Sequence, residues 1–303
     1  MARPPHTARR VSAGLGLAVA SWFVLTAAPA GGQTRPDPRQ ANPERPTVAT
    51  HAYAVAPGIV ELESGVQWQS LGAGNNQLTA PFLFKMGLGR HVQLDVAPGL
   101  AGVETNGTRR GGLSDSAVGF KWQVAAGVPI LSDVGVEALL KLPTGDRALG
   151  TGTGTTDLSL VFISSRQIGR VELDVNVGYT RRSGDGTFAP TTATLWTVST
   201  GFPVVGPLGW TAELFGYPGT SGPAGAGPIV AFLTGPTFQP QRSIVLDAGL
   251  ILNVEGFGAT AFYAGVTWNI GRLPGIGRPA QGRVAGMTGQ LATGLSAGPS
   301  GRR

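Results

Sequence analysis

Apolar and polar residues alternate along much of this chain, most clearly over residues 170–180 (RVELDVNVGYT). Aliphatic residues and Tyr179 occupy every second position, and the acids Glu172 and Asp174 stand between them. Successive strand side chains point to opposite faces, so the pattern predicts a strand with one apolar and one charged face. Carboxylates are costly to bury in a dry core. The strand therefore fits either a soluble sandwich with its acids in bulk water or a membrane barrel with a wet interior.

Recurrence of this alternation favours the barrel. It returns about twelve times between residues 60 and 270, and bacterial single-chain barrels have an even number of strands. The connections also alternate: long ones are predicted at 70–77, 104–112, 143–156 and 181–190, and short ones at 87–90 and 166–169. One end of a barrel carries external loops and the other only turns. We therefore predict an all-β fold, an antiparallel up-and-down transmembrane β-barrel of about twelve strands.

The composition supports a membrane protein that crosses with strands. Only 13% of the residues are charged, whereas about a quarter is usual in soluble proteins. The mean hydropathy is +0.11, yet no apolar run beyond the N-terminal region is long enough for a helical span. A barrel reconciles the two observations, because only every second residue of each strand needs to be apolar.

Residues 1–30 are typical of a secretory signal peptide. Three arginines precede an apolar stretch, and Ala28-Pro29-Ala30 forms a cleavage site of the A-x-A type. An uncleaved anchor is the alternative, because the apolar stretch is long. The chain has no cysteine, which agrees with export to an oxidising compartment. We expect the cleaved protein to reach the outer membrane of a Gram-negative bacterium.

Three further segments are predicted after the signal peptide. Residues 31–57 are rich in proline and predict a poorly ordered periplasmic lead-in, and residues 58–270 form the barrel. Residues 271–303 are rich in Gly and Arg and contain no acid, which predicts a disordered tail. That tail is either inert or bound by charge to anionic lipid, cell wall or lipopolysaccharide.

The net charge of +6 does not indicate nucleic-acid binding. Three arginines lie in the signal peptide and five in the tail, which leaves fifteen basic and seventeen acidic residues, about −2, for residues 31–270. No basic stripe with interleaved aromatic residues occurs in that body. We expect no nucleic-acid partner; the expected partners are the bilayer, lipopolysaccharide, the barrel assembly machinery and small solutes.

The strand phases place charged residues in the barrel interior. The predicted lumen-lining residues are Glu61, Glu63, Lys85, Asp95, Asp115, Lys121, Glu137, Lys141, Asp157, Glu172, Asp174, Glu213 and Asp247. Their cancelling charges could form a polar filling that closes the lumen. Alternatively they line a hydrated path whose acidic bias favours cations or neutral solutes over anions. A twelve-stranded barrel lies between the filled and the openly porous sizes, so a narrow channel fits.

Aromatic residues near predicted strand ends suggest girdles at the lipid interface. The predicted girdle residues are Trp68, Trp122, Tyr179, Trp210 and Trp268. In addition, residues 263–270 (YAGVTWNI) are similar to the terminal-strand signal read by the outer-membrane assembly machinery, although 33 residues follow them here.

Enzymatic readings have little support in the sequence. Of the three histidines, His6 lies in the signal peptide and His51 in the lead-in, so only His91 could reach the barrel wall. No Gly-x-Ser-x-Gly elbow and no His/Cys group with zinc spacing occurs. Residues 150–154 (GTGTG) open a strand and lack a following Lys, which argues against a phosphate loop. We expect no catalytic residues, no metal and no cofactor.

One motif resembles a known family. A strand ends in KLPTGD, a Gly-rich loop follows, and DLSL at 157–160 begins the next strand; GFKW at 119–122 also fits. The motif residues are Lys141, Leu142, Pro143, Thr144, Gly145 and Asp146. Over residues 58–270 the chain resembles the outer-membrane transporter family of the MetA pathway of phenol degradation. The resemblance implies an outer-membrane barrel associated with aromatic or other hydrophobic solutes.

Three functions follow from these observations. The first is a channel for passive uptake or efflux of small solutes, aromatic compounds among them. The second is a structural or adhesive barrel with a closed lumen, and the third is a secreted soluble β-sandwich that binds a ligand. The sandwich would dissolve without detergent, and the closed barrel would not conduct.

Overall fold

The structure is a computed structural model that describes residues 37–72, 75–89, 91–105, 107–256, 258 and 260–273. The predicted signal peptide and residues 274–303 of the predicted tail lie outside these ranges. Among the described residues, no helix is long and apolar enough to cross a membrane.

One antiparallel sheet of fourteen strands accounts for the fold. In chain order the strands are β1 (Ile59–Gly72), β2 (Asn75–Gly87), β3 (Val92–Ala97), β4 (Gly99–Thr105), β5 (Thr108–Leu113), β6 (Ser116–Val128), β7 (Ser132–Leu142), β8 (Asp157–Ile168), β9 (Val171–Arg182), β10 (Thr192–Val205), β11 (Leu208–Tyr217), β12 (Ile229–Gln241), β13 (Ile244–Glu255) and β14 (Ala261–Arg272).

The sheet closes on itself, because β1 pairs with both β14 and β2. Strands β3 and β4 both pair with β2 on either side of Pro98, so they form one interrupted wall strand. Strands β5 and β6 likewise form one wall strand, interrupted at residues 114–115. The wall is therefore a closed antiparallel barrel of twelve strands, as predicted, and the soluble sandwich is excluded.

Closure gives every strand one face toward the lumen and one toward the surroundings. In β9, Val175, Val177 and Tyr179 are exposed on the outside, whereas Asn176 and Gly178 are buried on the inside. The same alternation places Leu158, Leu160 and Phe162 outside on the neighbouring β8, in register with β9. This outer apolar surface, which no second sheet of the described chain covers, is what a lipid-facing wall requires.

The connections sort by length only over the second half of the chain. Loops 143–156, 183–191 and 218–228 lie at one end, and the two-residue turns 169–170, 206–207 and 242–243 lie at the other. Two loop predictions are wrong. Residues 70–72 and 75–77 belong to β1 and β2, and residues 104–105 and 108–112 belong to β4 and β5, because the backbone pairing continues through them.

We expect Val177→Lys to destabilise the inserted barrel, because the side chain points outward near the middle of β9 and is 58% exposed. A Lys at the bilayer midplane costs about 2–4 kcal/mol in a transmembrane barrel. The measurement is the folded fraction in vesicles as a function of urea, read from heat-modified gel mobility. Thr180→Lys, on the inward face of the same strand, should cost less, because its side chain does not meet lipid. Equal losses for the two variants would contradict the assignment of faces.

Candidate functional site: the barrel lumen

A segment of the N-terminal region occupies the lumen. Residues 41–56, the lumen segment, contain no exposed residue, and Ala49, Ala52 and Val55 are almost fully buried. The segment begins at the short-turn end, where the Ala41 N–H donates to the Arg242 carbonyl at 2.7 Å. It returns to the same end, where Gly58 bonds to Gly87 before β1 begins. The prediction of a poorly ordered periplasmic lead-in is therefore wrong for these residues, because the wall supplies partners for their backbone groups.

Inward side chains of the wall accept hydrogen bonds from the segment's backbone. Both carboxylate oxygens of Glu213 accept 2.7 Å bonds, one from Val48 N–H and one from Ala49 N–H. Glu63 likewise accepts from the N–H groups of Glu44 and Arg45, at 2.8 and 3.0 Å. A buried backbone N–H must find a partner, and a charged acceptor roughly doubles the strength of the bond. These carboxylates therefore determine the course of the segment through the barrel.

Neutral polar residues of the wall complete this set of bonds. The backbone N–H groups of Thr50, Ala52 and Val55 donate to Asn176 Oδ1 (2.7 Å), Ser165 Oγ (2.8 Å) and Gln93 Oε1 (2.9 Å), respectively. Asn269 Nδ2 donates to the carbonyls of Pro38 and Gln40 at 3.2 and 3.0 Å. The sequence-based list missed these side chains because it considered only charged residues. Their inward phase between apolar neighbours was the available signal.

Two buried lysines of the wall contact the segment. Lys85 lies 3.1 Å from Glu61 and 2.6 Å from Glu63, and its Nζ donates to the Asn42 carbonyl at 2.5 Å. Lys121 pairs with Glu44 of the segment and donates to Thr50 Oγ1 at 3.1 Å. A buried charge is costly unless it is paired and hydrogen-bonded, and here both lysines meet that condition.

The lysines also determine the ionisation of the segment. Burial alone would raise the pKa of the Glu44 carboxyl, but Lys121 and Lys85 hold that pKa well below its usual range. Burial, together with the positive charge of Lys121, lowers the pKa of the His51 imidazole well below its usual value. Glu44 is therefore an anion and His51 a neutral ring, stacked on Tyr53 at 4.1 Å between centroids.

Glycines on the inner wall make room for the segment. A Cβ at Gly265 would lie 2.5–2.8 Å from guanidinium atoms of Arg45, whose Nη2 lies 3.4 Å from Asp247. A Cβ at Gly135 would lie 3.0 Å from Ala52 Cα. These glycines of the wall thus lie where the lumen segment comes closest to the wall.

One flank of the lumen is apolar. Phe215, Ala231, Leu233, Ile251, Ala261 and Tyr263 form a buried cluster on β11–β14. Val48 of the lumen segment packs against this cluster. The cluster lies toward the long-loop end, since Phe215 precedes the end of β11 and Ala261 begins β14. On β11 and β13 this cluster lies beyond the acids Glu213 and Asp247, so the lumen lining changes there from acidic to apolar toward the long-loop end.

Ten of the thirteen predicted lumen residues lie on this inner wall. Glu61, Glu63, Lys85, Asp95, Lys121, Glu137, Glu213 and Asp247 are buried there, and Glu172 and Asp174 are half-buried on the inner face of β9. The remaining three, Asp115, Lys141 and Asp157, lie together at the long-loop end. The predicted list thus divides into a group around the lumen segment and a group that holds a loop.

That second group explains the KLPTGD motif. Lys141 Nζ lies 2.7 Å from Asp115 and 3.4 Å from Asp157, and it donates to the Thr155 carbonyl at 2.8 Å. Asp115 also accepts from the N–H groups of Gly145 (3.1 Å) and Thr153 (2.9 Å). These bonds fold the loop 143–156 back onto the strand ends.

The remaining motif residues shape the turn itself. Thr144 Oγ1 donates to the Ser114 carbonyl at 2.9 Å, and Asp146 accepts from the N–H of Ala148 at 2.6 Å. A Cβ at Gly145 would lie 2.6 Å from the Thr151 carbonyl oxygen, so no larger residue fits. Leu142 and Pro143 are exposed at the end of β7. The motif is therefore a device that fixes the loop.

The predicted girdle residues all lie on the outer face. Trp68 and Tyr179 lie toward the long-loop end of their strands, and Trp210 and Trp268 toward the short-turn end. Trp122 lies six residues before the end of β6, in the middle of the wall. Within the described ranges, no group of three or more potential ligand side chains could hold a metal ion.

Comparisons with known proteins identify a family and a solved barrel of similar fold. The model of the family described as "Putative MetA-pathway of phenol degradation" matches residues 44–269, which includes most of the lumen segment. The COG4313 outer membrane channel from Pseudomonas putida F1 has a TM-score of 0.56 at 13% identity and covers 76% of this chain and 99% of that one. The KdgM porin in complex with disordered oligogalacturonate gives 0.43 at 5% identity, over 70% and 98% of the two chains. A comparison with curated proteins gave no match.

Gly265→Val should loosen the lumen segment, because the new side chain would displace the Arg45 guanidinium from its place beside Asp247. Overpacking of this kind costs about 1–3 kcal/mol, or about fivefold to more than a hundredfold in an opening equilibrium. The measurement is the rate at which an aqueous thiol reagent labels Ala49→Cys in the folded barrel.

Two controls make this experiment specific. Gly112→Val should leave the labelling rate unchanged, since a Cβ there meets nothing within 4 Å. In an Arg45→Ala background, Gly265→Val should add little, because the displaced group is gone. A full effect of Gly265→Val without Arg45 would contradict the assigned contact.

Asp115→Asn should free the loop 143–156. The substitution removes the charge that Lys141 and two backbone N–H groups contact, and bonds to charged groups contribute about 1.5–3 kcal/mol each. Trypsin cleavage after Arg147 should accelerate about tenfold or more. Asp185→Asn is the matched control, since Asp185 bonds only within its own loop, to the Thr187 N–H. Equal acceleration by both variants would contradict the role assigned to Asp115.

Proposed function

This chain belongs to the family of the MetA pathway of phenol degradation, and from that premise we propose that it is an outer-membrane channel for small solutes. Solutes pass passively through the lumen, in uptake or efflux, and aromatic or other hydrophobic compounds are among them. The observation that carries the proposal is the lining. Carboxylates, amides and lysines line the lumen of a closed barrel. The lumen holds a peptide segment that is bound mainly through hydrogen bonds.

The combination of apolar and acidic side chains in the lumen lining supports the solute class. Small amphipathic compounds, such as an aromatic ring with a hydroxyl group, can place the ring against the apolar cluster and the polar group toward the acidic side chains. The described inner wall carries more acids than lysines. A negative potential in a narrow pore favours cations and neutral solutes and opposes anions.

Passage requires the lumen segment to move. Many of its contacts with the wall are hydrogen bonds, which water can replace when the segment shifts. Val48 and Ala52 must in addition leave the apolar side chains that they contact. In this proposal the segment is a gate, and Glu213, Glu63 and Lys121 hold its closed position. The proposal contains no catalytic step.

Further parts of the proposal concern how the barrel reaches the membrane. The signal peptide is cleaved during export, and the assembly machinery binds the last strand, β14, which closes the barrel against β1. Outer aromatic residues meet the lipid interface, and the outer surface contacts lipopolysaccharide. The alternative function is a structural or adhesive barrel with a permanently closed lumen, which the buried segment would also suit.

A reversible cross-link distinguishes the channel from the closed barrel. The chain has no cysteine, and a Cβ at Gly135 would lie 3.3 Å from Ala52 Cβ, close to disulfide geometry. We expect Ala52→Cys/Gly135→Cys to block liposome swelling and single-channel conductance when oxidised. Reduction should restore open steps that prefer cations and swelling with neutral and aromatic solutes.

The single variants Ala52→Cys and Gly135→Cys are the controls, and oxidation should not affect them. A wild-type and reduced double variant that never conduct would establish the closed barrel instead. Equal conductance of the oxidised and reduced forms would show that solutes do not pass through the gated lumen.

A further inference from the structure

Large apolar side chains cover the turns on one side of the short-turn end. Leu88, Ile130, Leu131, Ile168, Val205 and Leu208 are all exposed at or beside the turns that follow β2, β6, β8 and β10. Ile130 is 86% exposed and Val205 66%. Turns that face water are usually built from Gly, Pro, Asn, Asp and Ser, and Ile130 and Leu131 depart from that rule. Exposed apolar side chains grouped in this way, here called the apolar lip, are typical of a surface that contacts a partner or a membrane.

The lip covers only part of the barrel end. The turn after β12 consists of Arg242 and Ser243, and Arg242 pairs with Asp37 at 3.2 Å. The chain leading to the lumen segment also passes there, through the bond from Ala41 to the Arg242 carbonyl. The polar turn and the apolar lip thus mark two different sides of the same barrel end.

The backbone at the most exposed point is strained. Ile130 has φ 71°, in the left-handed region that a β-branched residue rarely adopts. Glycine would relieve that strain if the turn only reversed the chain in water. Strained positions persist where the surrounding structure or a function requires the side chain. Here the strain directs a large aliphatic group away from the barrel.

The lip continues the lipid-facing surface of the wall. Leu208 lies on the outer face two residues beyond Trp210, toward the turn, which is about 7 Å along a strand. The outer column of β9 likewise begins with Val171, directly after the turn. If lipid ended at Trp210, these side chains would stand in water. Continuity with the lipid-facing wall indicates that acyl chains reach the turns.

Charge on the lip fits the same partner. Arg166 lies on the outer face of β8, and its Nη1 donates to the Ile130 carbonyl at 3.3 Å. Arg170 lies in the next turn, and the nearby Asp133 is buried and accepts from Gly127 N–H. Arginine beside aliphatic groups suits the level of lipid phosphates. If a second copy of the chain packed its lip against this one, the arginines of the two copies would repel each other.

We propose that the apolar lip is embedded in the periplasmic leaflet of the membrane. The barrel then sits deeper on the side of β3–β11 than at the turn after β12, with Arg166 and Arg170 at the phosphate level. The partner is the lipid itself, and the inference does not depend on whether the lumen conducts.

Single cysteines test the lip in the full chain, which has none of its own. Ile130→Cys, Val205→Cys and the control Ser243→Cys are labelled with a small fluorophore and inserted into phosphatidylcholine–phosphatidylglycerol vesicles. We expect a nitroxide on the lipid acyl chain to quench positions 130 and 205 at least threefold more than position 243. Aqueous iodide, present both inside and outside the vesicles, should quench position 243 more strongly than positions 130 and 205.

Strong iodide quenching at positions 130 and 205, equal to that at 243, would overturn the proposal. Protection from both quenchers would also overturn it, because another protein or a second copy would then cover the lip. Heat-modified gel mobility verifies that each labelled variant is folded. As a second measurement, Ile130→Asp should lower the inserted fraction at least threefold, whereas Ser243→Asp should not; equal yields would contradict embedding.

Discussion

The bonds between inward carboxylates and backbone N–H groups of the lumen segment are the interaction on which this structure depends. Closing a single sheet forces every strand to present one face to the interior. The outer face must be apolar in a membrane, so the polar residues of each strand point inward, where they are largely removed from water. Glu63 and Glu213 find donors in the backbone of residues 44–49, and that segment finds acceptors that an apolar lumen would lack. Wall and segment therefore require each other.

This arrangement explains features that are separate in the sequence. Inner glycines lie where the segment approaches most closely, and Gly265 and Gly135 lie against Arg45 and Ala52. Lysines lie where wall acids and the segment's Glu44 converge. At the other end, Lys141 and Asp115 use the same kind of charge pairing to fix a loop. The barrel thus uses paired charges at both the lumen segment and the loop.

The recurrence of the period-two pattern, together with the low content of charged residues, predicted the barrel and its strand number. The pattern also gave the inward phase of most charged residues, because each strand carries both faces locally. Residues 41–56 could not be predicted in the same way. Their proline content suggests disorder, and their order comes from wall residues more than a hundred positions away, such as Asn176 and Glu213. The loop predicted at residues 104–112 falls within the β4–β5 hairpin, since the glycines and arginines there weaken the pattern while the backbone pairing continues. Long-range pairing, which one sequence does not display, accounts for these differences.

Amide hydrogen exchange in the folded barrel tests the central claim most directly. The account predicts that the N–H groups of Glu44, Arg45, Val48 and Ala49 exchange at least a hundredfold more slowly than those of the exposed loop 183–191, since each donates to a buried carboxylate. Exchange of the four amides as fast as that loop would contradict it, because the segment would then not be bound to the wall.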